Sequence, residues 1–392
     1  MRVLAACSLG GAGHLQPLLP FLAAARRRGD DTLVVGPPAL SDLVERAGYA
    51  FQPGGEPSEE DVAHIRECLP VAPPREASVL GNRDLFGRLA TTAMLPGMRQ
   101  ICAEWSPHFV LREPCEYASA VVAHDTGIPN AQVAISLARG EAASIAAAAP
   151  ALEEHRAGLV RELRASPYLT RFPASLDPPS FPTTIRFRVH AAVDGHASQD
   201  WWDGSDAPLV YTTFGTVLGH MSIAADVYRM ALKAVTDLDV RVLLTLGHRF
   251  DPSGLGSIPA NTHVEAWVEQ ANVLNETDLV VCHGGSGTVF GALAAGVPVV
   301  VVPIFADQFE NGRCLAEYGA GLVIEPKQGH ADGRRRVLGE EDAPRLAHAI
   351  KAVLGATSYR RNARRIAIEM GAAPTVDDVV EALLAGRVDR IR

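Results

Sequence analysis

The chain has 392 residues, 47% of them apolar and 21% charged, and its 36 basic and 45 acidic side chains give a formal net charge of −9. That length supports about two domains, each with its own core, and the apolar content excludes disorder as the main state. The acidic balance argues against nucleic acid or an anionic membrane as partner, since both call for a basic face, although amides at a helix start still offer a local anion site.

In chain order, residues 3–7 predict a strand and 15–28 carry apolar side chains at helical spacing. The opening run is too short for a signal segment, and no stretch approaches the ~20 apolar residues of a membrane span, so a cytoplasmic protein is expected. A strand over 32–35 precedes a helix around 39–47 that stops at Gly48. Strands over 109–111 and 131–135 flank a helical stretch around 117–125. Residues 55–105 and 138–185 lack this rhythm and read as helices and loops. From 167 to 206 the chain is rich in Pro, Ser and Asp, and the later part reads as a linker. The second half repeats the first, with strands over 209–213, 240–245, 279–282 and 297–302.

Strands alternating with helices imply parallel sheets with right-handed crossovers. The expected fold class is α/β, with two doubly wound, Rossmann-like domains facing across a cleft. They take residues 1–190 and 207–372, with a linker at 191–206 and a final helix within 373–392. Ligands in such sheets sit at the carboxyl ends of the strands. The six cysteines are scattered, with no C-x-x-C pair, and read as reduced thiols.

Four signals bear on chemistry. Gly10-Gly11-Ala12-Gly13-His14 follows the first strand and opens a helix, which makes His14 either a general base or a helix-capping residue. Cys282-His283-Gly284-Gly285-Ser286-Gly287-Thr288 follows another strand and opens the helix over 289–295. Successive amides, hydroxyls and a helix dipole there favour phosphate oxygens. The run lacks the Gly-Lys-Ser/Thr ending of a P-loop, which excludes that class of NTP site. Asp307 and Gln308 follow the strand over 297–302 and suit sugar hydroxyls, or simply start a solvated helix. Trp267 is either a platform for a nucleobase or a core side chain.

The run from Trp267 and Gln270 through His283–Thr288, Pro298 and Pro303 to Asp307-Gln308, with Gly10 to His14 followed by Pro17 and Pro20, resembles the family-1-type GT-B glycosyltransferases. In particular it is similar to bacterial transferases that decorate macrolides, polyketides and enediynes, over nearly the whole length. The resemblance implies that the second domain holds a dTDP- or UDP-sugar and the first a hydrophobic small-molecule acceptor. It implies base stacking on Trp267 with Gln270 beside the nucleoside. His283, Gly285, Ser286, Gly287 and Thr288 would bind the diphosphate, with Thr216 facing it, and Asp307 and Gln308 would contact the sugar. His14 would deprotonate the acceptor. Its acidic partner would be Glu113, where Asp is commoner in the family, with Arg112 or Glu116 as competitors for that carboxylate. Glu310 and Asn311 stay open between the donor side and plain helix surface. The final helix, opening at Thr375, would cross back to the first domain.

The reading is an inverting, metal-independent transfer of a deoxysugar or other sugar, with no cofactor. Its rivals are a silent helper protein of a transferase, a cell-wall GlcNAc transferase and a nucleotide-sugar epimerase. Oligomeric state stays open, a homodimer included.

Overall fold

The computed structural model describes residues 1–9, 11–69, 72–189, 202, 204–326 and 336–387. Its strands are short, and the central ones are mainly apolar and buried, the signature of parallel sheets covered by helices, while those at the sheet edges are partly exposed. Seven of them, β1 (Arg2–Ala6), β2 (Asp31–Gly36), β3 (Ala50–Pro53), β4 (Phe109–Arg112), β5 (Asn130–Val133), β6 (Tyr168–Thr170) and β7 (Thr184–Arg186), form one sheet. Their spatial order is β3-β2-β1-β4-β5-β6-β7. Six more, β8 (Leu209–Thr213), β9 (Arg241–Thr245), β10 (Thr262–Glu265), β11 (Leu279–Cys282), β12 (Val299–Val301) and β13 (Gly321–Val323), form the second. Their order is β10-β9-β8-β11-β12-β13, and the pairings in both sheets are parallel. In each sheet the order turns back beside the first strand. That puts a switch point between β1 and β4 and another between β8 and β11, where such folds bind ligands.

The chain divides into two units. One holds residues 1–189 and the segment from Ala373 on, the other His190–Ala372. In the first lie α1 (Ala12–Leu15), α2 (Leu19–Arg27), α3 (Ser41–Arg46), α4 (Glu59–Cys68) and α5 (Pro74–Ser78). A π-helix over Val79–Ala90 then runs straight into α6 (Thr91–Trp105), and α7 (Ala118–Thr126), α8 (Ala138–His155) and α9 (Leu159–Ala165) follow. The second unit carries α10 (Ala224–Val235), α11 (Gln270–Leu274), α12 (Ser286–Ala294), α13 (Gln308–Tyr318), α14 (Ala343–Gly355) and α15 (Thr357–Gly371). The last helix, α16 (Val376–Leu384), belongs to the first unit. A capping box between Thr375 and Asp378 starts it, and Val376, Val379, Val380 and Leu383 join the core formed by Phe21 and Leu22 of α2.

Three expectations need correction. The single helix over 15–28 is two, α1 and α2, because the segment bearing Pro17 and Pro20 breaks the hydrogen-bond ladder. Strands β3, β10 and β13 went unpredicted. So did β6 and β7, which lie in segments read as loop or linker. Both are three residues long, and β6 is held by Tyr168 stacked on Phe181 with centroids 4.3 Å apart. Most of the predicted linker, Trp201 included, lies outside the described residues. Trp202 packs on its own unit, donating from its indole to the Asn261 carbonyl with the Arg241 guanidinium 5.6 Å over its ring.

Candidate functional site

The first switch point carries a histidine and a carboxylate. His14, in α1 just after β1, is 18% exposed, and Glu113, one residue past β4, is fully buried. His14 Nδ1 lies 3.1 Å from Glu113 Oε1. Ser8 donates to that oxygen from its amide at 2.9 Å and also from its hydroxyl, and the Cys115 amide donates to Oε2 at 2.6 Å. Burial pushes the Glu113 pKa up, but His14, the Ser8 hydroxyl and the Cys115 amide outweigh it and hold the carboxyl below its ordinary value. An ionised Glu113 is an acceptor only. It therefore favours the tautomer with a proton on Nδ1, leaving the Nε2 lone pair for an incoming hydroxyl.

The two competitors look elsewhere. Arg112 donates to backbone carbonyls and to Gln132, not to the Glu113 carboxylate. Glu116 accepts from the Ser119 amide at 2.9 Å and from its hydroxyl, and burial pushes its pKa up to about 7. Phe86, on the π-helix, faces His14 with ring centroids 6.0 Å apart and planes 30° from parallel. Such helices are rare in long runs and collect at functional sites. This one packs on α8 so closely that a Cβ on Gly87 would stand 3.2 Å from Ala148. Gly10 lies outside the described residues.

The second switch point gathers the loops after β8, β9, β10 and β11. Thr216 and Gly287 are exposed, and Trp267 is 53% exposed, a free aromatic face rather than a core residue. Amides from Leu246 and Gly247 reach the carbonyls of Glu265 and Ala266, tying the β9 loop to the Trp267 loop. Gly284 has φ +92°, and a Cβ there would meet the Val301 side chain at 2.6 Å, so only glycine makes the turn. The His283 ring is wedged between two glycines: a Cβ on Gly215 would come within 2.8 Å of it, and one on Gly285 within 2.4 Å. Burial drives its pKa down to about 4, against a raising hydrogen bond to the Thr213 backbone, so the ring is neutral. Its Nδ1 and the Gln270 Nε2 are buried without a partner among the described residues. Gln270 opens α11 with its Oε1 alongside Gly291 of α12.

Several side chains with an implied ligand role are also engaged in shaping the loops. Ser286 donates from its hydroxyl to Asp307 Oδ2 at 2.9 Å. Asn311 Nδ2 donates to the Gly284 carbonyl at 2.9 Å, to Ser286 Oγ at 3.1 Å and to Asp307 Oδ2 at 3.0 Å. Gln308, 3% exposed, accepts on Oε1 from the Ile304 and Phe305 amides at 2.8 and 2.9 Å. Within that loop Ala306 has φ +54°, a left-handed conformation a non-glycine residue rarely holds. For an anion the site offers the backbone N–H groups of Ser286, Gly287 and Thr288, the first turn of α12. Sequence reasoning left Asn311 undecided; it is 1% exposed and on the Asp307 side. It missed Ser8, whose only signal was a hydroxyl directly past the first strand, and Phe86, for which no periodicity pointed inward.

Comparison with known proteins gives one consistent family. Models of the N-terminal and C-terminal domains of the erythromycin biosynthesis protein CIII-like family match residues 23–203 and 229–385. Elloramycin glycosyltransferase ElmGT of Streptomyces olivaceus is 31% identical over 98% of this chain and 97% of its own. L-demethylnoviosyl transferase of Streptomyces niveus is 29% identical over 98% of both. Among solved structures, the glycosyltransferase SnogD from Streptomyces nogalater superposes with a TM-score of 0.75 at 24% identity, covering 99% of both chains. SsfS6 of Streptomyces sp. SF2575, complexed with thymidine diphosphate, gives 0.73 at 24% identity, covering 98% of this chain and 99% of that one.

Proposed function

We propose, on the premise that the chain belongs to the bacterial natural-product glycosyltransferases built from erythromycin CIII-like domains, that it transfers a deoxysugar from a dTDP- or UDP-sugar to a hydrophobic small-molecule acceptor with inversion. That it is a glycosyltransferase follows from the family; the donor, the stereochemistry and the residue roles are our reading. The observation that carries it is His14 Nδ1 3.1 Å from the buried, ionised Glu113 at a switch point. The acceptor hydroxyl gives its proton to His14 Nε2 as its oxygen bonds to the anomeric carbon. The bond from that carbon to the diphosphate oxygen breaks, and the electron pair leaves with the nucleoside diphosphate. Glu113 holds the imidazole and stabilises the imidazolium that forms. The growing diphosphate charge falls to the first-turn amides of α12 and its dipole, which supports transfer without a metal.

On the donor side, exposed Trp267 suits stacking on the base, and the unpartnered Gln270 Nε2 suits a nucleoside oxygen. Asp307, whose Oδ2 is tied to Ser286 and Asn311, suits a sugar hydroxyl. The test is a screen of dTDP- and UDP-sugars against macrolide and aromatic polyketide acceptors, read by mass spectrometry with and without EDTA. Transfer that EDTA leaves nearly intact is the expected result. A large loss restored by magnesium would put the leaving-group electrostatics on a metal. Absence of transfer with every donor, together with binding to a partner transferase, would favour the helper protein.

A further inference from the structure

Arg112 holds the turn that presents Glu113. It ends β4, level with Gln132 on β5 and Ala6 on β1 in the parallel register, and it is 0% exposed. Nη1 donates to the carbonyls of Glu113, Pro114 and Glu116 at 3.4, 3.4 and 3.3 Å, and Nη2 donates to Gln132 Oε1 at 3.1 Å. Gln132 is itself fixed, because its Nε2 donates to the Leu163 carbonyl at 2.9 Å and to Ser166 Oγ at 3.2 Å. Burying a guanidinium whose donors go to carbonyls rather than to a bonded carboxylate is costly, and an apolar side chain of like volume would fill a core more cheaply. A local use is therefore to be sought.

The use follows from the geometry of one peptide bond. In a trans peptide the C=O and N–H point in opposite directions, and none of the described peptides is cis. Nη1 takes the Pro114 carbonyl, so the N–H of the same peptide, that of Cys115, points away from the guanidinium, and it donates to Glu113 Oε2 at 2.6 Å. We propose that Arg112 is a positioning residue for the carboxylate of the His14–Glu113 pair: by gripping the Pro114 carbonyl it aims the Cys115 amide at Oε2, and so sets where Oε1 meets the imidazole. The proposal rests on the reading of His14 as base.

A double-mutant cycle tests it, with kcat measured across pH at saturating donor for wild type, Arg112→Lys, Glu113→Gln and the double variant. Lysine keeps the charge but cannot grip three carbonyls and Gln132 together. Arg112→Lys is expected to lower kcat by about tenfold to a hundredfold, the scale of a misplaced catalytic group, with little change in donor KM. In the Glu113→Gln background the same change should cost less than about twofold, because nothing remains to be aimed. Where the lysine variant does not fold, Arg112→Met runs the same cycle. A merely structural Arg112 would give losses that multiply, or a wild-type kcat in the folded single variant, and either result overturns the proposal alone. Wild-type kcat in Glu113→Gln would overturn the base pair and the proposal with it.

Discussion

The two switch points share a topology and use opposite materials. In the first unit the site is made of buried charge: Arg112 and Glu113 are both 0% exposed, each held by several hydrogen bonds. In the second it is made of backbone, with glycines around a neutral His283 and the first turn of α12. The difference follows from the two tasks. A base has to be aimed and its tautomer fixed, which a carboxylate in a low-dielectric clamp does well. A diphosphate already brings its charge, and amides hold it with no counter-ion to desolvate.

The sharpest way to break that comparison is Glu113→Gln. If charge is the working material of the first site, kcat should fall by about 10²–10⁴-fold, the range seen when an orienting carboxylate or a general base is lost. Calorimetry should show nucleoside diphosphate affinity unchanged. A parallel loss of nucleotide affinity would mean the two materials are not separate.

In the second site, Gly287→Leu should weaken binding of free UDP and dTDP by about tenfold or more, with Tm held or raised. A Cβ at Gly287 meets nothing within 4 Å, so the side chain occupies the space before the amides, and leucine is the better helix former. Gly285→Ala should act differently, lowering unit stability by about 1–3 kcal/mol through the His283 ring it displaces. Unchanged affinity in Gly287→Leu would remove the phosphate from this helix.

The smallest effect is a pair of opposed pH dependences. His283 has a folded pKa near 4 against an unfolded value of about 6.5. The unfolded chain therefore protonates first, and the second unit loses stability as pH falls from about 6.5 toward 4. Glu116 and Glu141 in the first unit are pushed by burial to about 7 and about 8, above the unfolded carboxylate value of about 4.3. Their contribution is complete below that value and is lost as pH rises through 7 and 8. Hydrogen exchange resolved by unit should show the opposed trends. Parallel trends would put the dominant titrating groups elsewhere.

Much of this was legible in the sequence, for identifiable reasons. Strands over 209–213 and 279–282 were readable because central parallel strands are rich in apolar and β-branched residues, and the structure places β8 and β11 on the same residues. The loop after β11 carries glycines whose spacing already suggested an anion site. Short β6, β7 and β13 carry too little pattern to be seen, and the break at Pro17 and Pro20 was masked by apolar residues in helical register on both sides. At the first site His14 and Glu113 were nameable, but the clamp was not. Ser8 and Cys115 act partly or wholly through backbone amides, and Arg112 acts through carbonyls, none of which a residue type reveals.

The base assignment is the claim on which the rest depends, and initial rates of His14→Ala test it most directly, measured across pH beside wild type on a donor and acceptor pair that wild type turns over. Wild-type turnover should fall on the acid side as an imidazole protonates, and His14→Ala should run about 10²–10⁴-fold slower with that titration gone and nucleoside diphosphate affinity intact. Wild-type turnover in His14→Ala, with the acid limb still present, would make His14 a helix-start residue and contradict the mechanism.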